Sequence, residues 1–248
     1  MQKAEIEVRG AVGRVWELML KGQAPDVLCV EGPAGTGKTF GIFLMLISFG
    51  LMFPGLRWFI SRKTRVHMTQ TTLKEFEKAL GLLCPEALGG ARSENRSTYY
   101  LPNGSEFPIV GMDDPSRLLS GQFHGGYLNE AVQYDSDDYE LLMRAMRGSL
   151  DLALPSFGSR KTLVLPFSDT LLMDTNPDHE HHWLNLTMRK REIERFVSRH
   201  EDNPALCTRD GLWTPAAAKY FGKLNKMTGP RHERMRHGRW TSPEGMIF

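Results

Sequence analysis

The chain has 248 residues and a formal net charge of +2, and 41% of its residues are hydrophobic. These values are typical of a soluble globular protein with one large domain, or with one domain and a small appendage. The three cysteines, Cys29, Cys84 and Cys207, are far apart and form no CxxC pair. They argue for a reducing compartment and against a disulfide framework or a structural zinc site.

The charge is distributed unevenly along the chain. Residues 187–240 contain thirteen Lys and Arg against six Asp and Glu, whereas the rest of the chain has an acidic excess. Such a basic segment suits a polyanionic partner such as DNA. An ordinary solvated surface has the same composition, so the segment alone does not decide between the two.

A complete phosphate-loop motif, G-x-x-x-x-G-K-[ST], follows a predicted strand over residues 26–31 and precedes a predicted helix over residues 40–53. Its members are Gly32, Pro33, Ala34, Gly35, Thr36, Gly37, Lys38 and Thr39. Glycines let the backbone N–H groups of such a loop converge on an anion at the positive end of the next helix. Lys38 is expected to reach the β- and γ-phosphates of a nucleotide, and the Thr39 hydroxyl to ligate Mg²⁺.

Three further elements are predicted around this loop. Helical spacing of apolar residues favours a helix over residues 3–22, and a second helix is expected over residues 69–80. Between them, a strand over residues 56–60 ends in a basic SRKT turn that contains Arg62. An arginine at the carboxyl end of such a strand is well placed to contact a ligand, although a surface turn has the same sequence.

A β-hairpin is predicted from two short strands, over residues 98–101 and 106–110, that flank an Asn103-Gly104 turn. Pro108 lies in the second arm and cannot donate a backbone hydrogen bond. We therefore expect this arm to form an edge of the sheet.

A phosphate-loop ATPase needs a second strand that ends in acidic residues, to polarise a water molecule and to assist Mg²⁺. The sequence Tyr-Leu-Asn-Glu at residues 127–130 fits this requirement. Glu130 is the predicted general base, although an acidic residue at the start of a helix is the simpler alternative. Asn129 occupies the magnesium-associated position, where its amide could orient a metal-bound water.

Polar and basic residues also follow the next predicted elements. A helix over residues 139–147 carries Arg144 and Arg147 on one face. Strands are predicted over residues 162–167 and 170–173, and the second ends in the sequence Asp-Thr-Asn-Pro, which should point into the ligand crevice. Residues 193–199 alternate like a strand, and Thr214-Pro215 begins a helix that runs towards residue 227.

Taken in order, these motifs resemble the large terminase subunit of tailed bacteriophages, the motor that pumps DNA into procapsids. The resemblance covers essentially the whole chain and rests on GPAGTGKT, FISRKT, DDPSRLLSG to YLNEA, MDTNPDHEHHW and RHERMRHGRWTSPEGMIF. It implies an α/β fold, a P-loop NTPase of the additional-strand catalytic-glutamate type with a mostly parallel sheet flanked by helices. It also implies that the glutamate strand lies beside the phosphate-loop strand, with a core over residues 1–190 and a lid subdomain over residues 191–248.

The resemblance also implies roles for individual residues. Lys38 and Thr39 match the phosphate-loop pair and Glu130 the catalytic glutamate, with ATP and Mg²⁺ as cofactors. Asn129 stands where the family usually has Asp. Thr175, Asn176 and Pro177 match the motif that couples hydrolysis to movement.

An arginine shortly before the acidic strand can act in this family as a finger in a neighbouring subunit. Arg117 is the closest candidate, and Arg144 and Arg147 are rivals.

The implied partners are double-stranded DNA, a portal protein and a small terminase subunit, in the cytoplasm of the bacterial host and without a membrane. A homo-oligomeric ring is expected on the procapsid, and an isolated domain could be a monomer. Large terminases usually continue into a ribonuclease H-like nuclease, which would begin about where this chain ends, so no nuclease activity is expected. Two alternatives are a helicase-like nucleic-acid remodeller and a nucleotide-binding switch with little turnover.

Overall fold

The computed structural model describes residues 7–64, 68–89, 98–113, 118, 121–146 and 169–242. Its seven strands are β1 (Val27–Glu31), β2 (Trp58–Arg62), β3 (Thr98–Tyr100), β4 (Glu106–Gly111), β5 (Gly125–Leu128), β6 (Thr170–Thr175) and β7 (Glu194–Val197). They form one sheet in the order β3-β4-β2-β5-β6-β1-β7. Strands β3 and β4 pair antiparallel, as the predicted hairpin requires, and the other neighbours pair in parallel.

Eight helices accompany the sheet in the described part of the chain. They are α1 (Gly10–Leu20), α2 (Lys38–Met52), α3 (Leu73–Leu83), α4 (Glu86–Gly89), α5 (Ser136–Ala145), α6 (Trp183–Arg189), α7 (Pro215–Leu224) and α8 (Gly229–His237). A π-helical turn over Met68–Thr72 leads into α3, and short 3-10 turns cover Ala131–Gln133 and His200–Asp202. None of the helices among these residues combines the length and the apolar character that a bilayer crossing requires.

The sheet is covered by apolar side chains on both faces. Leu28 and Val30 of β1 belong to the cluster that includes α1, α2 and α3, whereas Val27 and Cys29 belong to the cluster that includes α5 and α6. This alternation follows from the two-residue period of a strand. All five residues of β1 are buried, as expected for a central parallel strand.

The strand order corrects one expectation from the sequence. The glutamate strand β5 does not lie beside the phosphate-loop strand β1, because β6 pairs with both of them. Leu172 of β6 is opposite Leu28 on one side and Tyr127 on the other. The carboxyl end of β6 therefore lies between the phosphate loop and Glu130.

The prediction that the second hairpin arm forms a sheet edge is wrong. Strand β4 lies between β3 and β2, and β3 is the edge strand. Pro108 is accommodated because the pairing with β2 is interrupted around it. An isolated bridge joins Arg57 to Glu106, and the regular parallel ladder starts only at the pair Ile60 and Ile109.

The C-terminal part of the chain begins inside the sheet. Strand β7 pairs in parallel with β1, so these residues, which the sequence-based boundary at residue 190 assigns to the lid, extend the core sheet. Helices α7 and α8 follow it. The start of α7 agrees with the prediction, because Thr214 is its N-cap and Pro215 its first residue. The predicted strand over residues 162–167 lies outside the described residues.

The N-cap of α7 gives a testable contribution to stability. The Thr214 hydroxyl accepts a hydrogen bond from the Ala217 N–H (3.2 Å) and donates one to the Ala205 carbonyl (2.8 Å). We expect Thr214→Ala to lower the free energy of unfolding by about 1 kcal/mol, measured by urea denaturation. Thr214→Ser retains the hydroxyl and should lose much less. Equal losses in the two variants would contradict the capping role.

Candidate active site

A cavity of about 770 Å³ opens at the carboxyl ends of the central strands. Residues 34–39 of the phosphate loop form one wall, and Glu130, Asp174, Thr175 and Asn176 line the cavity next to it. Ligands of open α/β sheets bind at this edge, and the volume is in the range of small-molecule and cofactor sites.

The phosphate loop connects the end of β1 directly to the start of α2. Gly35 and Gly37 have left-handed backbones, with φ of 78° and 83°. A side chain at Gly35 would also collide with Tyr220, since a Cβ there would lie 2.4 Å from the Tyr220 hydroxyl. Helix α2 begins at Lys38, so its unpaired N-terminal N–H groups and its positive dipole end face the loop.

Lys38 is almost completely buried, with 6% of its surface exposed. Its ammonium group donates hydrogen bonds to the carbonyls of Gly32 (3.0 Å) and Pro33 (2.9 Å) and to the Asn176 side-chain oxygen (3.0 Å). The Thr36 hydroxyl lies 3.4 Å away. Burial lowers the pKa of Lys38, and the charge of Asp174 opposes this shift. The predicted coupling-motif residue Asn176 therefore contacts the phosphate-loop lysine directly.

Thr175 joins β6 to both neighbouring segments. Its backbone carbonyl accepts a hydrogen bond from the Gly32 N–H (3.2 Å), and its hydroxyl accepts one from the Val132 N–H (3.3 Å). Thr175 thus links the start of the phosphate loop to the turn after Glu130.

Asp174 occupies the centre of the site and is 2% exposed. Its carboxylate accepts hydrogen bonds from the Thr39 hydroxyl (2.5 Å), the Asn129 amide (3.0 Å) and the Glu130 backbone N–H (2.9 Å). The sequence predicts that this segment points into the crevice, and no function was predicted for Asp174. The available signal was an acidic residue at the carboxyl end of an apolar strand.

Asn129, also 2% exposed, uses both ends of its amide. Its oxygen accepts a hydrogen bond from the Thr72 hydroxyl (2.7 Å), and its NH₂ group donates to Asp174 and to the Tyr127 hydroxyl (3.2 Å). This amide orientation follows from chemistry, because an ionised carboxylate accepts hydrogen bonds and donates none. The amide oxygen of Asn129, which could also orient a metal-bound water, accepts its hydrogen bond from Thr72.

Glu130 lines the cavity with an unusual backbone. Its φ of 57° is left-handed, a conformation that non-glycine residues rarely adopt outside sites where the surrounding structure enforces it. A hydrogen bond from the Gln133 N–H to its carbonyl (2.9 Å) helps to hold this turn. Burial raises the pKa of Glu130, and the nearby charge of Asp174 raises it further, whereas Lys38 and Arg62 lower it. Both causes favour a carboxylate that accepts a proton.

Arg62, a predicted nucleotide contact, is linked to the site by hydrogen bonds through Thr72, and its charge lowers the pKa of Glu130. It ends β2 and donates from Nη1 to the hydroxyls of Thr71 (2.5 Å) and Thr72 (2.8 Å). Thr72 in turn donates to Asn129. Arg62 therefore supports the acidic strand end through a chain of hydrogen bonds.

The three arginine-finger candidates differ in what the structure describes. Arg144 lies on α5 with 75% of its side chain exposed, and it pairs with Glu140 one turn earlier (3.4 Å). Arg117 and Arg147 lie outside the described residues. The identity of a finger remains a prediction.

No site role was predicted for several residues that line the cavity. Val8 and Val12 from the N-terminal segment, Phe40 of α2 and Asn203 also line the cavity. Asn203 donates a hydrogen bond to the Gly35 carbonyl (2.8 Å). These residues lie far from the loop in sequence or carry no motif, so only the fold brings them together.

The C-terminal segment packs against the phosphate loop. The Ala34 N–H donates to the Met235 carbonyl (3.2 Å), and His200 Nε2 lies 3.0 Å from the Ala34 carbonyl. The Trp240 indole donates to Glu31 (2.6 Å), the last residue of β1. The basic segment recognised by charge is therefore part of the surroundings of the site.

Comparison with known proteins shows the family and the fold of this chain. A family model described as phage terminase large subunit matches residues 26–210. The chain is similar to a large terminase from a thermophilic bacteriophage, at 13% identity and a TM-score of 0.67, over 95% of this chain and 54% of that one. A search of the curated proteins found no match.

Two further solved structures show the same fold. The large terminase ATPase domain of Thermus phage P74-26 matches at 12% identity and a TM-score of 0.53, over 92% of this chain and 93% of that one. The HK97 bacteriophage large terminase matches at 13% identity and a TM-score of 0.59, over 95% and 51%. The chain thus spans about half the length of the HK97 protein and of the first thermophilic phage protein. The fold is that of a P-loop NTPase with a mostly parallel sheet, and the chain belongs to the phage terminase large subunit family.

Proposed function

We propose that this chain is an ATPase that powers translocation of double-stranded viral DNA into a procapsid. The observation that carries the proposal is the convergence of Lys38, Thr39 and Glu130 around one cavity at the carboxyl ends of parallel strands. The large terminase of the thermophilic bacteriophage, whose fold this chain shares, has been solved in complex with ADP. Family membership and this shared fold support nucleotide binding here.

The proposed reaction converts ATP and water to ADP and phosphate. The loop N–H groups and Lys38 bind the phosphate chain and offset its charge, which is the main contribution that proteins make to phosphoryl transfer. The Thr39 hydroxyl and a neighbouring carboxylate offer the hard oxygen donors that suit Mg²⁺. When bound, Mg²⁺ would neutralise charge on the β- and γ-phosphates.

Glu130 is the proposed general base. Its carboxylate accepts a proton from the water whose oxygen attacks the γ-phosphorus, and ADP is the leaving group. A base works best when its pKa approaches the working pH, and the raised pKa of Glu130 shifts it in that direction.

The remaining assignments extend the proposal to the assembled motor. We infer a homo-oligomeric ring with portal protein and small terminase subunit as partners, in the host cytoplasm, and a trans-acting arginine at Arg117, Arg144 or Arg147. We propose no nuclease activity for this chain. The alternative, a nucleotide-binding switch with little turnover, predicts binding without hydrolysis. The experiment below therefore distinguishes the switch from the ATPase.

Steady-state ATP hydrolysis and nucleotide affinity test the proposal together. Glu130→Gln should lower kcat by about 10² to 10⁴ and retain nucleotide binding, because it removes the base and keeps the shape. Lys38→Ala should weaken binding itself, because it removes the charge that faces the phosphates. The exposed Glu17→Gln on α1 is the control and should change neither. Binding without hydrolysis in the wild-type protein would favour the switch.

The raised pKa of Glu130 also predicts a pH-dependent stability difference. The folded state holds this proton more tightly than the unfolded chain, whose pKa is about 4.3. The associated stability is therefore complete below the unfolded pKa and is lost as the pH rises through the folded pKa. Glutamine does not titrate and has no such loss, so the Tm of Glu130→Gln relative to that of wild type should rise as the pH increases above the unfolded pKa. A constant difference, measured in thermal melts, would contradict this.

Mixing two inactive variants tests the trans-acting arginine. In a ring assembled from equal amounts of Arg117→Ala and Glu130→Ala proteins, about a quarter of interfaces would pair an intact Glu130 with an intact Arg117. Activity should then return to at most about that fraction of wild type. The same mixture with Arg144→Ala in place of Arg117→Ala tests one of the two rivals. If neither mixture regains activity, neither Arg117 nor Arg144 acts as a trans finger.

A further inference from the structure

The carboxylate beside the phosphate-loop threonine comes from an unexpected strand. We propose that Asp174, at the end of β6, supplies the magnesium-associated carboxylate of this site, and that Asn129 positions it. This inference rests on the proposed ATPase function. The magnesium-associated carboxylate is thereby assigned to β6, which ends at Thr175, and not to the end of β5, where Glu130 lies.

The first argument is the partner of Thr39. In phosphate-loop enzymes, Mg²⁺ is held by the Ser or Thr of the loop together with an aspartate at a strand end. The Thr39 hydroxyl donates directly to Asp174 Oδ2 (2.5 Å). A buried carboxylate therefore lies within hydrogen-bond distance of the one side chain that the loop motif assigns to the metal.

The second argument is the orientation of Asn129. A chain of hydrogen bonds runs from Arg62 Nη1 to Thr72 (2.8 Å), from Thr72 to the Asn129 oxygen (2.7 Å), and from the Asn129 NH₂ group to Asp174 Oδ1 (3.0 Å). Guanidinium groups only donate and carboxylates only accept, so every link has a fixed direction. The Asn129 oxygen therefore accepts from Thr72, and the Asn129 NH₂ group donates to Asp174.

The third argument is the place of the two residues in the sheet. Leu128 of β5 is opposite Met173 of β6, so Asn129 and Asp174 follow a paired position on adjacent parallel strands. An aspartate at 129 would put a second carboxylate where the amide now lies 3.0 Å from Asp174. A carboxylate has no N–H group to donate to Asp174, whereas the amide donates one. The Asn129 amide is therefore a neutral donor that fits a carboxylate at 174.

The test measures Mg²⁺-dependent binding of a fluorescent ADP analogue, without turnover. We expect wild type to bind the analogue more tightly in Mg²⁺ than in EDTA. In Asp174→Asn, the ratio of the affinity in Mg²⁺ to the affinity in EDTA should fall close to one. The affinity in EDTA should be largely retained. Electron paramagnetic resonance titration of Mn²⁺ into the ADP complex should show a loss in metal affinity of about 10- to 100-fold. Asp26→Asn, exposed before β1 and remote from the cavity, is the matched control.

An exchange variant, Asn129→Asp/Asp174→Asn, keeps the composition, the charge and an amide–carboxylate pair across the two strands. It should regain part of the Mg²⁺ ratio that Asp174→Asn loses. If Asp174→Asn does not fold by circular dichroism, the exchange variant is compared directly with wild type, and an affinity ratio of one in the folded exchange variant overturns the proposal.

The possible failures are distinguishable. An Asp174→Asn protein with the wild-type Mg²⁺ ratio and Mn²⁺ affinity would overturn the role of Asp174 and leave the ATPase proposal intact. A wild-type protein that binds no nucleotide in either condition would instead overturn the ATPase proposal on which this inference rests.

Discussion

A buried ammonium group constrains the arrangement of the whole site. Lys38 has little contact with water, and an ion in that position is stable only when oxygen atoms and opposite charges surround it. The loop turns back so that two of its carbonyls face Lys38, and β6 adds the side chain of Asn176. The charges of Asp174 and Glu130 raise the pKa of Lys38 and so oppose the effect of burial. The Lys38 ammonium group thus interacts with the phosphate loop, with β6 and with the acidic turn at Glu130.

The two carboxylates near Lys38 have different surroundings, and the difference assigns them different chemistry. Asp174 accepts hydrogen bonds from Thr39, Asn129 and the Glu130 backbone, so its oxygens are fixed. Burial and the charge of Asp174 raise the pKa of Glu130. One group is suited to hold position and the other to take up a proton, the division of labour that paired acids show in many enzymes. The left-handed backbone at Glu130 aims that side chain into the cavity.

The features that the sequence predicted correctly are those encoded over a few adjacent residues. The phosphate loop, the β3–β4 hairpin and the start of α7 each depend on local glycine, turn or capping chemistry, and each appears where expected. The missed features depend on which strands become neighbours. Asn129 and Asp174 are 45 residues apart in sequence, and their contact exists only because β6 lies between β5 and β1. Pro108 misled for the same reason, since a strand interior tolerates proline wherever its ladder is already interrupted.

The contacts of Ala34 give the phosphate loop two unlike sides. Its N–H and its carbonyl are both engaged by the C-terminal segment, through Met235 and His200. Trp240 fastens the same segment to Glu31 at the base of the loop. The outer side of the loop therefore contacts the C-terminal segment, whereas the inner side lines the cavity. The hydrogen bond between Ala34 and Met235 joins backbone atoms only, so a change in loop shape when the inner side is filled would reach α8 through a contact that does not depend on the Met235 side chain.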